Sequence, residues 1–204
     1  GKTTTMRILA NLTFQESGTI MYDNKEYGEI RDLKKKVGFV SSETAVYDRF
    51  TPNQIFHYFG RIAEVPHKHL QKRIDELVKE LDMESYRYLQ CGKFSTGMKQ
   101  RVSIARALLT DPEILIFDEV TNGLDIFASK TIKEIVKELE SKNKIIVYST
   151  HIMPDADELC ADIAILHKGK IITKGSLEDL KKKTKTETVS ELFFNAVENS
   201  EQTA

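Results

Sequence analysis

Hydrophobic and polar positions change period several times along this chain, and each change marks an element. Met6, Leu9 and Leu12 recur at intervals of three and predict a short helix over residues 4–12. Ser17-Gly18 marks a turn. Thr19-Ile20-Met21-Tyr22 then reads as a strand ending in the turn-prone pair Asp23-Asn24. A second short strand is predicted over residues 37–40. From 52 to 88 the period becomes helical, with one stripe at Ile55, Phe56, Phe59, Ile62 and Ala63 and another at Leu70, Ile74, Leu77, Val78 and Leu81. Residues 100–109 are helical again. Ile114-Leu115-Ile116-Phe117 is an unbroken apolar run and predicts a buried parallel strand. An amphipathic helix over 126–139 and a second buried strand over 145–148 follow. Residues 163–166, Lys168-Gly169-Lys170 and 171–173 predict a hairpin. Strands alternating with helices imply an α/β core with a mostly parallel sheet. The lysine cluster 181–185 and the polar tail after Val197 read as solvated, the cluster as an exposed helix end.

Composition narrows the function classes. The 204 residues suit one domain, or one domain with a small insert, and can bury a full core. With 30 basic against 31 acidic side chains, the net charge of −1 lacks the basic excess of a dedicated nucleic-acid binder, so no nucleic-acid partner is expected. No apolar run approaches the ~20 residues of a membrane span. The opening GKTTTMRILA does not have the pattern of a secretory leader, and the two cysteines, Cys91 and Cys160, do not make a disulfide framework. The expectation is a cytosolic protein that reaches a membrane only through a partner.

Four short segments carry candidate chemistry. Gly1-Lys2-Thr3 matches the last three symbols of a phosphate-binding loop, GxxxxGK[ST], which implies a longer protein whose first loop glycine and feeding strand lie upstream. The strand over 114–117 ends in Asp118-Glu119, and at a strand end the chain turns, so both carboxylates can face one crevice. An Asp there can hold Mg²⁺ and a Glu can orient an attacking water. Phe94-Ser95-Thr96-Gly97-Met98-Lys99-Gln100-Arg101 places a good N-cap and a glycine at a helix start, where N–H groups can hold an anion. His151 follows the strand over 145–148 and sits on the ligand edge of such a sheet. Taken singly, each segment also has a plain structural reading: a chain-end lysine, solvated carboxylates, a capped helix, a structural histidine.

Their order is what distinguishes them. GKTT, a helical insert, FSTGMKQR, ILIFDE, TNGLD and STH follow one another as in the ATP-binding cassette (ABC) ATPases, and the chain resembles that family over all but its extreme tail. FSTGMKQ and the HKGKI turn look most like cassettes of bacterial ABC-2 type drug and sodium exporters. The resemblance implies a P-loop NTPase fold: an ABC ATPase domain over 1–204 lacking its N-terminal strands, with flanking helices and an inserted helical subdomain over 52–92. It implies ATP and Mg²⁺ as ligands. By position, Gly1 and Lys2 would hold β- and γ-phosphates, Thr3 would bind Mg²⁺ and Thr4 would contact an α-phosphate. Asp118 would bind Mg²⁺ through water, Glu119 would polarise the attacking water, and His151 would contact the γ-phosphate. Ser95, Thr96, Gly97 and Met98 would meet the nucleotide of a second subunit, with Asp125 of the D-loop at the dimer seam. An integral membrane permease would be the other partner, which puts the subunit at the cytoplasmic face of the membrane.

The chain departs from the family at several places. Ser42, followed by Glu43, stands where a Gln is usual. Phe94-Ser95-Thr96-Gly97-Met98 replaces LSGGQ, and Val120 replaces the usual Pro. The permease is expected to dock at the insert and the stretch 42–49, where Tyr47, Phe50, Phe56 and Phe59 gather; burial of all four in the insert is the alternative. Two other readings remain open at this level: a soluble ABC-type ATP switch and a catalytically inert fragment.

Overall fold

The computed structural model describes residues 1–22, 24–26, 33–43 and 46–202. Asp23 of the expected turn and Thr44 and Ala45 of the expected docking stretch lie outside them. Helix α1 (Lys2–Leu9) opens the chain, ahead of the antiparallel ribbon β1 (Met21–Tyr22) and β2 (Lys25–Glu26). The turn α2 (Leu33–Lys36) leads into strand β3 (Val37–Ser41). Helices α3 (Pro52–Ile62) and α4 (His67–Glu80) come next, and a 3-10 turn at Cys91–Lys93 precedes α5 (Thr96–Ala107). Strand β4 (Ile114–Asp118), helix α6 (Ile126–Ser141) and strand β5 (Ile145–Ser149) complete the alternating core. The chain closes with α7 (Met153–Leu159), the hairpin β6 (Asp162–His167) and β7 (Lys170–Ser176), α8 (Leu177–Thr184) and α9 (Val189–Gln202).

Among the described residues β3, β4 and β5 form a parallel sheet in that order. The central strand β4 is buried throughout because it is paired on both edges and covered on both faces. Its side chains alternate between two cores. Leu115 and Phe117 join the main cluster, which runs through α3, α4, α5 and α6. Ile114 and Ile116 face the other way, to Ala10, Met6 and Leu9 at α1. The hairpin, α7, α8 and α9 pack around a third cluster that includes Ile165, Leu177 and Leu192.

Expected and observed elements differ in instructive places. Strand β5 is not buried as its apolar run predicts: Ile145 is exposed and residues 146–148 are half-buried, because β5 pairs with β4 on one side alone among the described residues. In the first helical stripe Ile55 and Phe56 are core, but Ile62, at the last residue of α3, is exposed. The second stripe is buried at every position. The stretch expected as a strand over 19–22 shrinks to Met21–Tyr22. Residues 198–202 of the tail are helical as the continuation of α9, which is anchored by Val189 and Leu192. The lysine cluster is the C-terminal turn of α8, where cations favour a helix end.

Candidate functional site

The three parallel strands end in register: Ser41 pairs with Asp118, and Asp118 pairs with Ser149. Ser42, Glu119 and Thr150-His151 therefore leave the sheet side by side along one edge, and α1 packs against β4 and β5 of the same sheet. This is the crevice outside the carboxyl ends of parallel strands, where ligands bind in open α/β sheets.

Each side chain here has a local cause. Gly1 is the N-cap of α1 and brings no side-chain cap to it, so the first N–H groups of the helix depend on other partners. The Thr5 N–H and hydroxyl both donate to the Gly1 carbonyl, each at 3.0 Å. Among the described residues the Thr3 and Thr4 hydroxyls have no hydrogen bond. Lys2 Nζ lies 3.6 Å from Glu119 Oε1, and His151 Nδ1 lies 3.2 Å from Glu119 Oε2. One carboxylate thus stands between an ammonium and an imidazole.

Glu119 sits at φ 53°, a left-handed conformation that costs an L-residue of order 1 kcal/mol. It is held there by hydrogen bonds on either side. Its N–H donates to the Ser149 carbonyl at 3.0 Å, and the Asn122 N–H donates to its own carbonyl at 3.0 Å. The turn re-aims the chain, so that Asp118 remains buried while the Glu119 side chain is partly open to solvent. Ser42, where a Gln was expected, donates its N–H to the Asp118 carbonyl at 3.0 Å, and Glu43 reaches outward to Arg7 at 4.0 Å. Thr150 accepts the Ile152 N–H at 2.9 Å and so shapes the turn that carries His151.

Ser95, Thr96, Gly97, Met98 and Asp125 form a second group. Ser95 caps α5 by accepting the Met98 N–H at 3.2 Å, and Asp125 caps α6 by accepting the Ala128 N–H at 2.9 Å. The two helix starts touch: a Cβ on Gly97 would lie 2.9 Å from the Ala128 Cβ. Among the described residues this group shares no hydrogen bond or ion pair with Lys2, Glu119 or His151. The candidate residues therefore fall into two groups that share no polar contact among the described residues.

Three supporting residues had no assigned role in the sequence reading. Ser149 donates its hydroxyl to Asp118 Oδ1, and both residues are 4% exposed. Gln100, fully buried in α5, donates to the Ser41 carbonyl at 3.4 Å and so ties the second group to the end of β3. Asp155 is buried; it accepts the Thr121 hydroxyl at 2.6 Å and lies 3.5 Å from Lys133, joining α7 and α6 to the segment after Glu119. Ser149 directly follows the apolar run 145–148, and Gln100 lies between Lys99 and Arg101, so neither stands out in the sequence. Asp155 had no signal of its own.

Comparison with known proteins bears on the family and the fold. A family profile described as "ABC transporter" matches residues 1–122. The chain is 36% identical over 197 residues to the ABC transporter ATP-binding protein NatA of Bacillus subtilis (strain 168), covering 96% of this chain and 80% of that protein. It is 34% identical over 203 residues to the methionine import ATP-binding protein MetN 2 of Bacillus cereus (strain ZK / E33L), covering 97% of this chain but 60% of that protein. The fold is similar to that of a solved ATP-binding subunit of an ABC transporter, with a TM-score of 0.83 and 26% identity over 97% of this chain and 83% of that one. A dimeric ATP-binding cassette in a post-hydrolysis state with ADP and Pi gives a TM-score of 0.76 and 25% identity, over 87% of this chain and 81% of that one.

Proposed function

Because this chain belongs to the ABC transporter ATPase family, we propose that it is the ATP-hydrolysing subunit of a membrane exporter, working as a head-to-tail dimer on an integral membrane permease. The observation that carries the reading is the convergence of Lys2, Glu119 and His151 beside the buried Asp118. In this reading the open N–H groups at the start of α1 and the Lys2 ammonium bind the phosphates, and Thr4 adds a hydroxyl. Glu119 orients the attacking water, and its imidazole neighbour His151 approaches the γ-phosphate.

The residues present suit Mg²⁺. Asp118 and the Thr3 hydroxyl are hard oxygen donors, and Asp118 is buried with no cationic partner among the described residues. A bound Mg²⁺ would neutralise charge on the phosphates. Ser95, Thr96, Gly97, Met98 and Asp125 then serve the nucleotide of the second copy, in keeping with their sharing no hydrogen bond or ion pair with Lys2 among the described residues. The ADP- and Pi-bound dimer among the structural likenesses supports this arrangement. The chain as a whole is assigned as the ATPase domain, and residues 52–92 as its inserted helical subdomain. The half-exposed Tyr47 and Phe50 support a permease docking surface beside that insert. Among the described residues no helix is long and apolar enough to cross a membrane; in this reading the subunit sits at the cytoplasmic face, held by the permease. Export as the direction rests on FSTGMKQ and the HKGKI turn.

The test is Glu119→Gln in the full-length protein. Loss of the water-orienting carboxylate should lower ATP hydrolysis at least ~100-fold while ATP binding is kept. The variant should also accumulate as an ATP-bound dimer on size exclusion. Near-normal turnover would remove Glu119 from the mechanism, and a wild-type protein that binds ATP without hydrolysing it would favour the inert reading.

A further inference from the structure

Resting on the ATPase reading above, we propose that Ser149 is a positioning residue for Asp118: its hydroxyl fixes the carboxylate so that Oδ2 is the oxygen offered to the nucleotide's metal ion. The parallel register places the two residues side by side at the ends of β4 and β5. Both are 4% exposed, and the Ser149 hydroxyl donates to Asp118 Oδ1. Among the described residues it is the one side chain bonded to that carboxylate. A buried hydroxyl needs a partner, and a buried carboxylate with a single donor is oriented by that donor. Oδ1 is thereby engaged, and Oδ2, which has no donor among the described residues, is the oxygen left to accept from outside the protein.

The same residue also acts through its backbone. Its carbonyl accepts the Glu119 N–H at 3.0 Å, which helps hold Glu119 in its left-handed turn. Ser149 thus touches both acidic residues, one through the side chain and one through the main chain. Substituting the side chain removes the Asp118 arm and keeps the Glu119 arm.

The experiment compares full-length wild type, Ser149→Ala and Ser149→Thr, with Mn²⁺ as a spectroscopic substitute for Mg²⁺. Three quantities are read: ATP affinity with metal removed by a chelator, Mn²⁺ affinity of the ATP complex by electron paramagnetic resonance, and thermal stability. A hydrogen bond to a charged group is the quantity lost, so Ser149→Ala should weaken Mn²⁺ binding to the ATP complex by about tenfold or more. Metal-free ATP affinity should stay within about twofold of wild type, because no phosphate-binding group is altered. Ser149→Thr keeps a hydroxyl on the same strand and should restore Mn²⁺ affinity. The proposal is overturned if Ser149→Ala keeps wild-type Mn²⁺ affinity, or loses metal-free and metal-dependent affinity equally. It is also overturned if a folded Ser149→Thr fails to bind Mn²⁺ like wild type, a comparison that holds even where the alanine variant does not fold. A wild-type protein that binds no ATP at all would instead sink the ATPase reading itself.

Discussion

A Cβ built at Gly97 would lie 2.9 Å from the Cβ of Ala128, closer than two carbons normally approach. That contact gives Gly97 a packing role, since it lets the starts of α5 and α6 meet, in addition to the proposed approach to a partner's phosphate. The two roles can be separated. Gly97→Ala should lower stability by roughly 1–3 kcal/mol through overpacking, read by urea denaturation. Adding Ala128→Gly removes the clashing methyl and should recover part of that loss. If Gly97 also admits a partner's γ-phosphate, the double variant folds yet hydrolyses ATP slowly. Recovery of full hydrolysis along with stability would leave Gly97 as a packing residue only. Glu119 is the opposite case, a side-chain-bearing residue in a conformation where glycine is easier. The proposed role needs a carboxylate there, and the hydrogen bonds that Glu119 shares with Ser149 and Asn122 offset the backbone cost.

Helix α3 shows how far an element can be read from its residues. Thr51-Pro52 with Gln54 is a complete capping box, with Thr51 Oγ1 accepting the Gln54 N–H at 3.2 Å and Gln54 Oε1 accepting the Thr51 N–H at 2.9 Å. Its stripe predicts the face, and Ile55 and Phe56 are core. What periodicity does not disclose is how closely α3 and α4 approach. Gly60 is the residue that permits it, because a Cβ there would fall 2.3 Å from Leu70 Cδ1. Gly60→Ala should therefore destabilise by about 1–3 kcal/mol, although alanine is the better helix former, and the loss should appear as a lower urea midpoint. The strands divide along the same line. The run at β4 was legible because a strand covered on both faces is apolar at every position, whereas β5 carries the same kind of run and, among the described residues, is paired on one side alone. Hydrophobicity records which residues can be buried, not which neighbours are present to bury them. At the candidate site, the order of short motifs singled out Lys2, Asp118, Glu119 and His151, and the fold brings Lys2, Glu119 and His151 together. Asp155 and Ser149 were missed because their partners, Thr121 and Asp118, lie in distant parts of the chain and are joined to them only by the fold.

Across the whole molecule, the loop between β3 and α3 touches the segment that leads into α5, and it carries two exposed aromatic residues. Tyr47 and Phe50 are 53% and 49% exposed and meet edge to face at 5.9 Å, and Tyr47 stacks on the half-buried Phe59 at 6.3 Å. Phe56, expected with them, is fully buried and belongs to the core, so the surface is smaller than the sequence suggests. The loop is held at both ends of Asp48. The Gly92 N–H donates to the Asp48 carbonyl at 2.9 Å, and Lys99 of α5 pairs with its carboxylate at 2.9 Å. A partner pressing on Tyr47 and Phe50 would therefore load α5, the helix capped by Ser95, through a short chain of polar contacts. That connection is why the proposed permease is placed here rather than on α9. Replacing Tyr47 and Phe50 together with serine removes apolar area that is already half in water, so the cost to stability should be no more than about 1–2 kcal/mol. Basal ATP hydrolysis by the isolated subunit should stay within about twofold, since neither ring contacts Lys2, Glu119 or His151 among the described residues. Stimulation of hydrolysis by the reconstituted permease should be lost. Unfolding of the double variant would show both rings to be structural, and a folded variant that still responds to the permease would move the docking surface elsewhere on the insert.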